Sequence, residues 1–240
     1  MPGATSPACP AGSRAAPGAE AMELLIVNSN ATRGITDQLA TEARRIARPD
    51  TRIRALTATD GPAAIESPAD VDRAARATRA EILSAPPPVD AAIIACFSDP
   101  GLLRIRAEVA FPVIGIAEAA MLRACVLGPR FTVLTVAPAT LPGIRDTARC
   151  YGLEDRMAGA HALDQGVLQS HRDPEGTARR MADLARQVLR EEAPDVLILG
   201  GAITAGLGRR IAGDLPVPVL DGLSCAVERA EELCGRRAGA

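Results

Sequence analysis

Along this chain, short runs of consecutive apolar residues alternate with longer stretches whose apolar positions recur every three to four residues. The short runs are rich in Val, Ile, Leu and Ala and do not alternate, the pattern of strands covered on both faces. They predict strands over 23–28, 52–56, 91–95, 113–116, 131–136, 157–160, 196–199 and 217–220. The longer stretches predict helices over 35–47, 69–83, 102–108, 117–127, 141–151, 174–191, 205–212 and 223–233. Asp173 before Pro174 fits an N-cap followed by proline at the first helical position. His161 and His171 fall in a loop or edge region and receive no role. Strands alternating with helices imply an α/β fold with mainly parallel strands.

The pattern repeats. Asp90 to Leu102, with Cys96 and Gly101-Leu102, matches Asp195 to Leu207, with Gly201 and Gly206-Leu207. Val27 to Thr32 resembles Thr135 to Thr140, and Pro112 to Ile116 resembles Pro218 to Gly222, in the same order and at nearly the same offset. The expected fold is α/β with two pseudo-symmetric lobes. Each holds a mostly parallel four-stranded sheet flanked by helices, and the active site lies in the cleft between them. The lobes span 22–116 and 117–220, and 221–240 form a C-terminal helix and tail packing on the first lobe. Residues 1–21 are rich in Ala, Pro and Gly and lack the apolar core of a secretory signal. They read as a disordered tail, or as an over-long start with Met22 as the real beginning.

Composition narrows the chemistry. A net charge of −2 and an aromatic content of 2% argue against nucleic-acid binding, and no apolar run approaches a membrane span. The basic residues are all Arg; without Lys there is neither an internal Schiff base nor a P-loop lysine. The six cysteines form no C-x-x-C pair, and no His stands at zinc-ligand spacing, so no metal is expected. Reduced thiols point to a cytoplasmic protein.

Ligands of open α/β sheets bind at the carboxyl ends of strands, where Asn28, Asn30, Cys96, Thr135 and Gly201 all fall. Cys96 could present a thiol beside backbone N–H groups and Ser98; its bland reading is a core cysteine. Asn28 and Asn30 could hold carboxylate or imide oxygens, and equally could serve an ordinary turn. Gly201 and Ala202 could offer backbone donors to an oxyanion, with Phe97 and Ile203 completing the walls. Where the first lobe has Cys96, the second has Gly201, so the cleft carries a thiol on one wall and a gap on the other; Cys225, near the start of the last helix after Asp221-Gly222, could face the cleft. Cys125, Cys150 and Cys234 read as helix packing.

These residues carry a family likeness from about Met22 to Leu233. Asn28 to Thr32, Gly61-Pro62 with Ile65-Glu66, Ala95 to Leu102, Gly115 to Ala120, Leu127 to Phe131 and Val219 to Gly222 resemble motifs of the aspartate/glutamate racemase superfamily, hydantoin racemase branch. The resemblance implies a cofactor-independent racemase or isomerase of a hydantoin- or amino-acid-like carbon acid, working through an enolate-like intermediate and associating as a homo-oligomer. It makes Cys96 the first catalytic cysteine and puts the second at Gly201, where it is missing, which leaves Cys225, as a second acid/base, or a bound water to supply the second proton. A single thiol also suits two related chemistries: decarboxylation of a malonate-like acid, or cis-trans isomerisation of an alkene. A non-catalytic small-acid binding protein is the remaining reading.

Overall fold

The computed structural model describes residues 21–235. The N-terminal tail expected at 1–21, apart from its last residue, and the end of the C-terminal tail lie outside the described residues. The elements run β1 (Met22–Asn28), α1 (Arg33–Ile46), β2 (Thr51–Thr57), α2 (Pro68–Ser84), β3 (Ala91–Ala95), α3 (Leu102–Arg106), β4 (Val113–Gly115) and α4 (Ile116–Leu127). The second half follows with β5 (Phe131–Thr135), α5 (Leu141–Cys150), β6 (Met157–Ala162), α6 (Val167–Arg172), α7 (Pro174–Glu191), β7 (Val196–Leu199), α8 (Leu207–Ile211), β8 (Val219–Asp221) and α9 (Gly222–Gly235). Two four-stranded sheets result, in the orders β2-β1-β3-β4 and β6-β5-β7-β8, with every pairing parallel. The same order in both sheets is the fold-level form of the sequence repeat.

Local chemistry sets the helix starts. Ser67 and Asp70 form a capping box at α2, with Pro68 in its first turn. The Asp173 carboxylate accepts the Gly176 N–H at 2.9 Å, capping α7 as its sequence predicts. The expected helix over 205–212 is shorter, because Gly206 at φ +78° interrupts the chain before Leu207. The expected strand over 217–220 moves to Val219–Asp221. Helix α6 replaces an expected loop: the Glu66 carboxylate, from the other half of the chain, accepts the Val167 N–H at 2.8 Å. His161 lies on the edge strand β6, its Nε2 at 2.5 Å from Glu192 Oε1, and His171 lies on α6.

Helices α4 and α9 join the two sheets. Helix α9 packs on β3, β4 and α1, while α4 reaches β7 and packs on α9. Small buried residues on both, among them Ala117, Ala120, Ala124, Ala226 and Ala230, permit the close approach. Gly222 is required there, since a Cβ on it would stand 2.8 Å from the Ile116 carbonyl oxygen. One apolar core therefore runs from Leu24 and Ile93 to Val133 and Ile198. Each large aliphatic side chain buried in it contributes about 1.5–3 kcal/mol. The buried Glu231 of α9 accepts the Arg48 N–H at 2.8 Å and the Thr51 hydroxyl at 2.7 Å, fastening the last helix to the first sheet.

Candidate functional site

The register gives the two sheet ends equivalent layouts. Asn28 pairs with Ala95, so Cys96 leaves the sheet beside it; Leu134 pairs with Leu199, so Thr135 and Gly200 leave together just before Gly201. The strand ends open onto a cavity of about 660 Å³. Asn30, Cys96, Phe97, Ser98, Thr135, Gly201, Ala202 and Ile203 all line it. The loops after β3 and β7 follow the same course: the Asp99 N–H donates to Cys96 O at 3.0 Å, and the Thr204 N–H to Gly201 O at 3.1 Å.

Two expected site residues do not reach the cavity. Asn28 is fully buried, and its amide is taken up by Asn30 Oδ1 at 3.0 Å, Thr36 Oγ1 at 3.0 Å and the Thr32 carbonyl. It holds Asn30, whose Oδ1 also accepts the Thr32 N–H at 2.9 Å; this leaves the Asn30 Nδ2 as the donor for the cavity. Cys225 does not line the cavity. It is buried on the core face of α9, and burial pushes its thiol up to about 12.

The Cys96 Sγ lies 3.3 Å from the Ser98 hydroxyl. Burial pushes the thiol above its ordinary value of 9.0. The hydroxyl and N–H of Ser98 and the N–H of Phe97 oppose that rise, and the Asp99 carboxylate adds to it. At neutral pH the resting group is the thiol, and the thiolate is the minor, reactive form.

Asp99 sits in the left-handed region at φ +43°, which turns its carboxylate away from the strand. It accepts the Ala117 and Glu118 N–H groups at 3.0 and 2.8 Å, capping α4 from a distant loop, and the Tyr151 hydroxyl at 2.7 Å. Gly115 makes room for it, since a Cβ there would stand 2.2 Å from Asp99 Cγ. Burial pushes the Asp99 carboxyl up to about 6. Arg106 pairs with Glu118 behind it, at 2.9 and 2.5 Å. The Asp99–Tyr151 contact joins the two halves at the cavity wall and was not predicted. The one signal for it was an ionisable residue three positions after Cys96.

The second wall differs. Gly201 sits at φ +120°, and a Cβ on it would meet only Ile203 Cγ2 at 3.6 Å and Thr135 Oγ1 at 4.0 Å. Gly200 beside it is filled from the other lobe: its Cβ would stand 3.1 Å from the Phe97 ring. Gln38 of α1 donates to the carbonyls of Ile203 and Ala205 at 3.1 and 3.2 Å, holding this loop. The charged side chains at the described cavity wall are Glu66, Asp72, Asp99 and Asp146 against Arg104, which is exposed and paired with Glu108. Among the described residues no group of three or more His, Cys, Asp or Glu is placed to hold a metal ion, and no helix is long and apolar enough to cross a membrane.

Residues 24–230 match the Asp/Glu/Hydantoin racemase family. The hydantoin racemase of Rhizobium meliloti is 35% identical over 215 residues, 89% of each chain. Among solved structures, the allantoin racemase of Pseudomonas fluorescens superposes with a TM-score of 0.86 at 34% identity, covering 91% of this chain and 92% of that one. The allantoin racemase of Klebsiella pneumoniae gives 0.83 at 35% identity, covering 90% and 89%.

Proposed function

The chain belongs to the Asp/Glu/Hydantoin racemase family, and from that premise we propose that it racemises a small cyclic carbon acid of the hydantoin or allantoin type through Cys96. The observation that carries this reading is the pairing of Cys96 and Gly201 at equivalent strand ends on one cavity. The Cys96 thiolate takes the proton from the ring carbon. The electron pair moves onto the adjacent carbonyl oxygen, which the Asn30 amide and the Gly201–Ala202 backbone hold as an oxyanion. A water standing in the space at Gly201, against the Thr135 hydroxyl, returns a proton to the opposite face. The hydroxide it leaves takes the proton from Cys96 and resets the site.

Electrostatics favours a neutral ring over an amino acid or a dicarboxylate. Carboxylates outnumber cations at the cavity wall, and the one arginine is solvated. The thiol pKa, raised by burial, suits a weakly acidic carbon, because base strength tracks pKa. The pairing of one strand-end thiol, Cys96, with Gly201 supports a second reading: protonation from one face only, as a decarboxylase of a malonate-like acid requires.

The test is α-proton exchange in D₂O with single enantiomers of 5-substituted hydantoins and of allantoin, followed by NMR and circular dichroism. Exchange with slower loss of optical activity, both abolished by Cys96→Ser, is the expected result. Exchange with full retention moves the assignment to one-faced protonation. Exchange that survives Cys96→Ser removes the thiol from the mechanism.

A further inference from the structure

A second, smaller cavity adjoins the segment that carries Gly201. Its volume is about 320 Å³, near the lower end of the range of about 300–1,000 Å³ for ligand pockets. Both halves of the chain build it. Helix α1 supplies Gln38 and Glu42, α6 supplies His171, α8 supplies Arg210, and Ile203 and Gly206 follow β7. Ile203 also lines the larger cavity. Gly206 admits the Glu42 carboxylate, since a Cβ there would collide with it. The Ser170 and Thr177 hydroxyls at this cavity are taken up by the Gln165 amide, so the charged groups and the imidazole decide what it can bind. Charges of both signs line it. Glu42 pairs with Arg45 at 2.9 Å and with Arg209 at 3.3 Å, and Arg210 pairs with Glu175 at 2.6 Å. A carboxylate accepts about four hydrogen bonds and a guanidinium donates about five, so each keeps capacity for a ligand. The pairs reach water, where such pairs are weak, and a ligand competes with them at little cost. The His171 ring packs against Gly34 of α1 and makes no hydrogen bond among the described residues.

A ligand of one sign would satisfy one side of this cavity and oppose the other. We propose that it is a second site, for a free α-amino acid bound as the zwitterion. The ammonium group meets Glu42, from the first half of the chain, and the carboxylate meets Arg210 and His171, from the second. Pro174, Ile203 and Leu207 offer apolar surface to a small hydrocarbon side chain. Occupancy bears on the larger cavity. Gln38 donates to the Ile203 and Ala205 carbonyls at 3.1 and 3.2 Å, and Ile203 borders both cavities, so the bound amino acid braces the segment that carries Gly201. A ring in the larger cavity and an amino acid in the smaller then favour each other, and each tightens the other by the same factor. This consequence rests on the racemase reading above for the placement of the ring; the second site stands on its own groups.

The experiment is calorimetric binding of L-leucine, 4-methylpentanoate and 3-methylbutylamine to the wild type, Glu42→Gln and Arg210→Gln. Leucine is expected to bind once per chain, and each analogue, lacking one of the two charges, at least about tenfold more weakly. Either variant is expected to weaken leucine about tenfold. Arg210→Gln keeps the test open should Glu42→Gln, which also loses its pairs with Arg45 and Arg209, fold poorly. Absence of leucine binding, equal binding of either analogue, or variants that bind leucine as the wild type does overturns the site. A titration of leucine in the presence of 5-benzylhydantoin is expected to show about fivefold tighter binding. Displacement of leucine by the hydantoin would place it in the larger cavity and overturn the site, and an unchanged affinity would overturn the coupling. A site that passes these tests while no hydantoin exchanges its α-proton stands, and the racemase reading falls. Exchange without leucine binding does the reverse.

Discussion

Replacing Gly201 by Cys adds a thiol at the strand end that repeats Cys96. The space is there: the nearest atoms to the new Cβ are 3.6 Å away at Ile203 Cγ2 and 4.0 Å away at Thr135 Oγ1, ordinary van der Waals distances. The backbone resists, because φ +120° is a conformation that L side chains rarely adopt, at a cost of about 1–3 kcal/mol. The variant should therefore melt several degrees below the wild type and still fold. In catalysis, a positioned proton donor contributes about 10²–10⁴-fold. Water already supplies part of that role in the proposed mechanism, so the gain should lie near the lower bound, about 10²-fold in racemisation. The rate at which Cys96 removes the α-proton should change far less. The assay is paired, with deuterium exchange by NMR and loss of optical activity by circular dichroism, for one enantiomer at one pH. Wild-type exchange outruns racemisation, and Gly201→Cys brings the two rates together. The double variant with Cys96→Ser abolishes both. A folded Gly201→Cys protein that exchanges the proton yet racemises no faster would refute the placement of Gly201 at the opposite face of the substrate.

Three further outcomes follow from the geometry. Because burial raises the Cys96 thiol and Asp99 raises it further while Ser98 lowers it, exchange activity should climb with pH towards and beyond 9.0. Ser98→Ala moves that limb to higher pH and Asp99→Asn to lower pH, and coincident pH profiles would contradict the assigned contacts. The Asp99 carboxyl, raised to about 6 from an ordinary 3.8, binds its proton more tightly folded than unfolded. Its contribution is thus full below pH about 4 and is lost as pH rises through about 6, about 3 kcal/mol in all. Denaturant unfolding at the two pH values should show wild type losing more stability than Asp99→Asn, and equal losses would exclude the effect. Gly200→Val places a Cβ 3.0 Å from Val133 Cγ1 and 3.1 Å from the Phe97 ring, and carries two methyl groups besides. Such overpacking should destabilise by about 1–3 kcal/mol in a denaturant titration, and a neutral result would mean that the two halves separate easily at this point.

Most of the elements were legible because each is specified by its own periodicity. Strands Ala91–Ala95 and Val196–Leu199 and helix Pro174–Glu191 occur where the pattern puts them. Helix α6 was not legible, since its first N–H is satisfied by Glu66, a hundred residues away in the chain. The site divides in the same way. Cys96, Asn30 and Gly201 could be found because strand ends in a parallel sheet are where the cleft opens. Asn28 and Asn30 are two residues apart and chemically identical, and only packing decides that the first is consumed by Thr36 while the second faces the cavity.

What the sequence by itself determined was the order of elements, the internal repeat and the presence of Gly201 at the position that repeats Cys96. These are one-dimensional facts, carried by residues close along the chain. The tertiary structure alone decided that Cys225 is sealed in the core, that Tyr151 meets Asp99 across the halves, and that α5 turns one whole face to the cavity. Each depends on which helical face is buried against a distant partner. Periodicity fixes that a face is apolar; only the shape of the opposing surface selects what it meets.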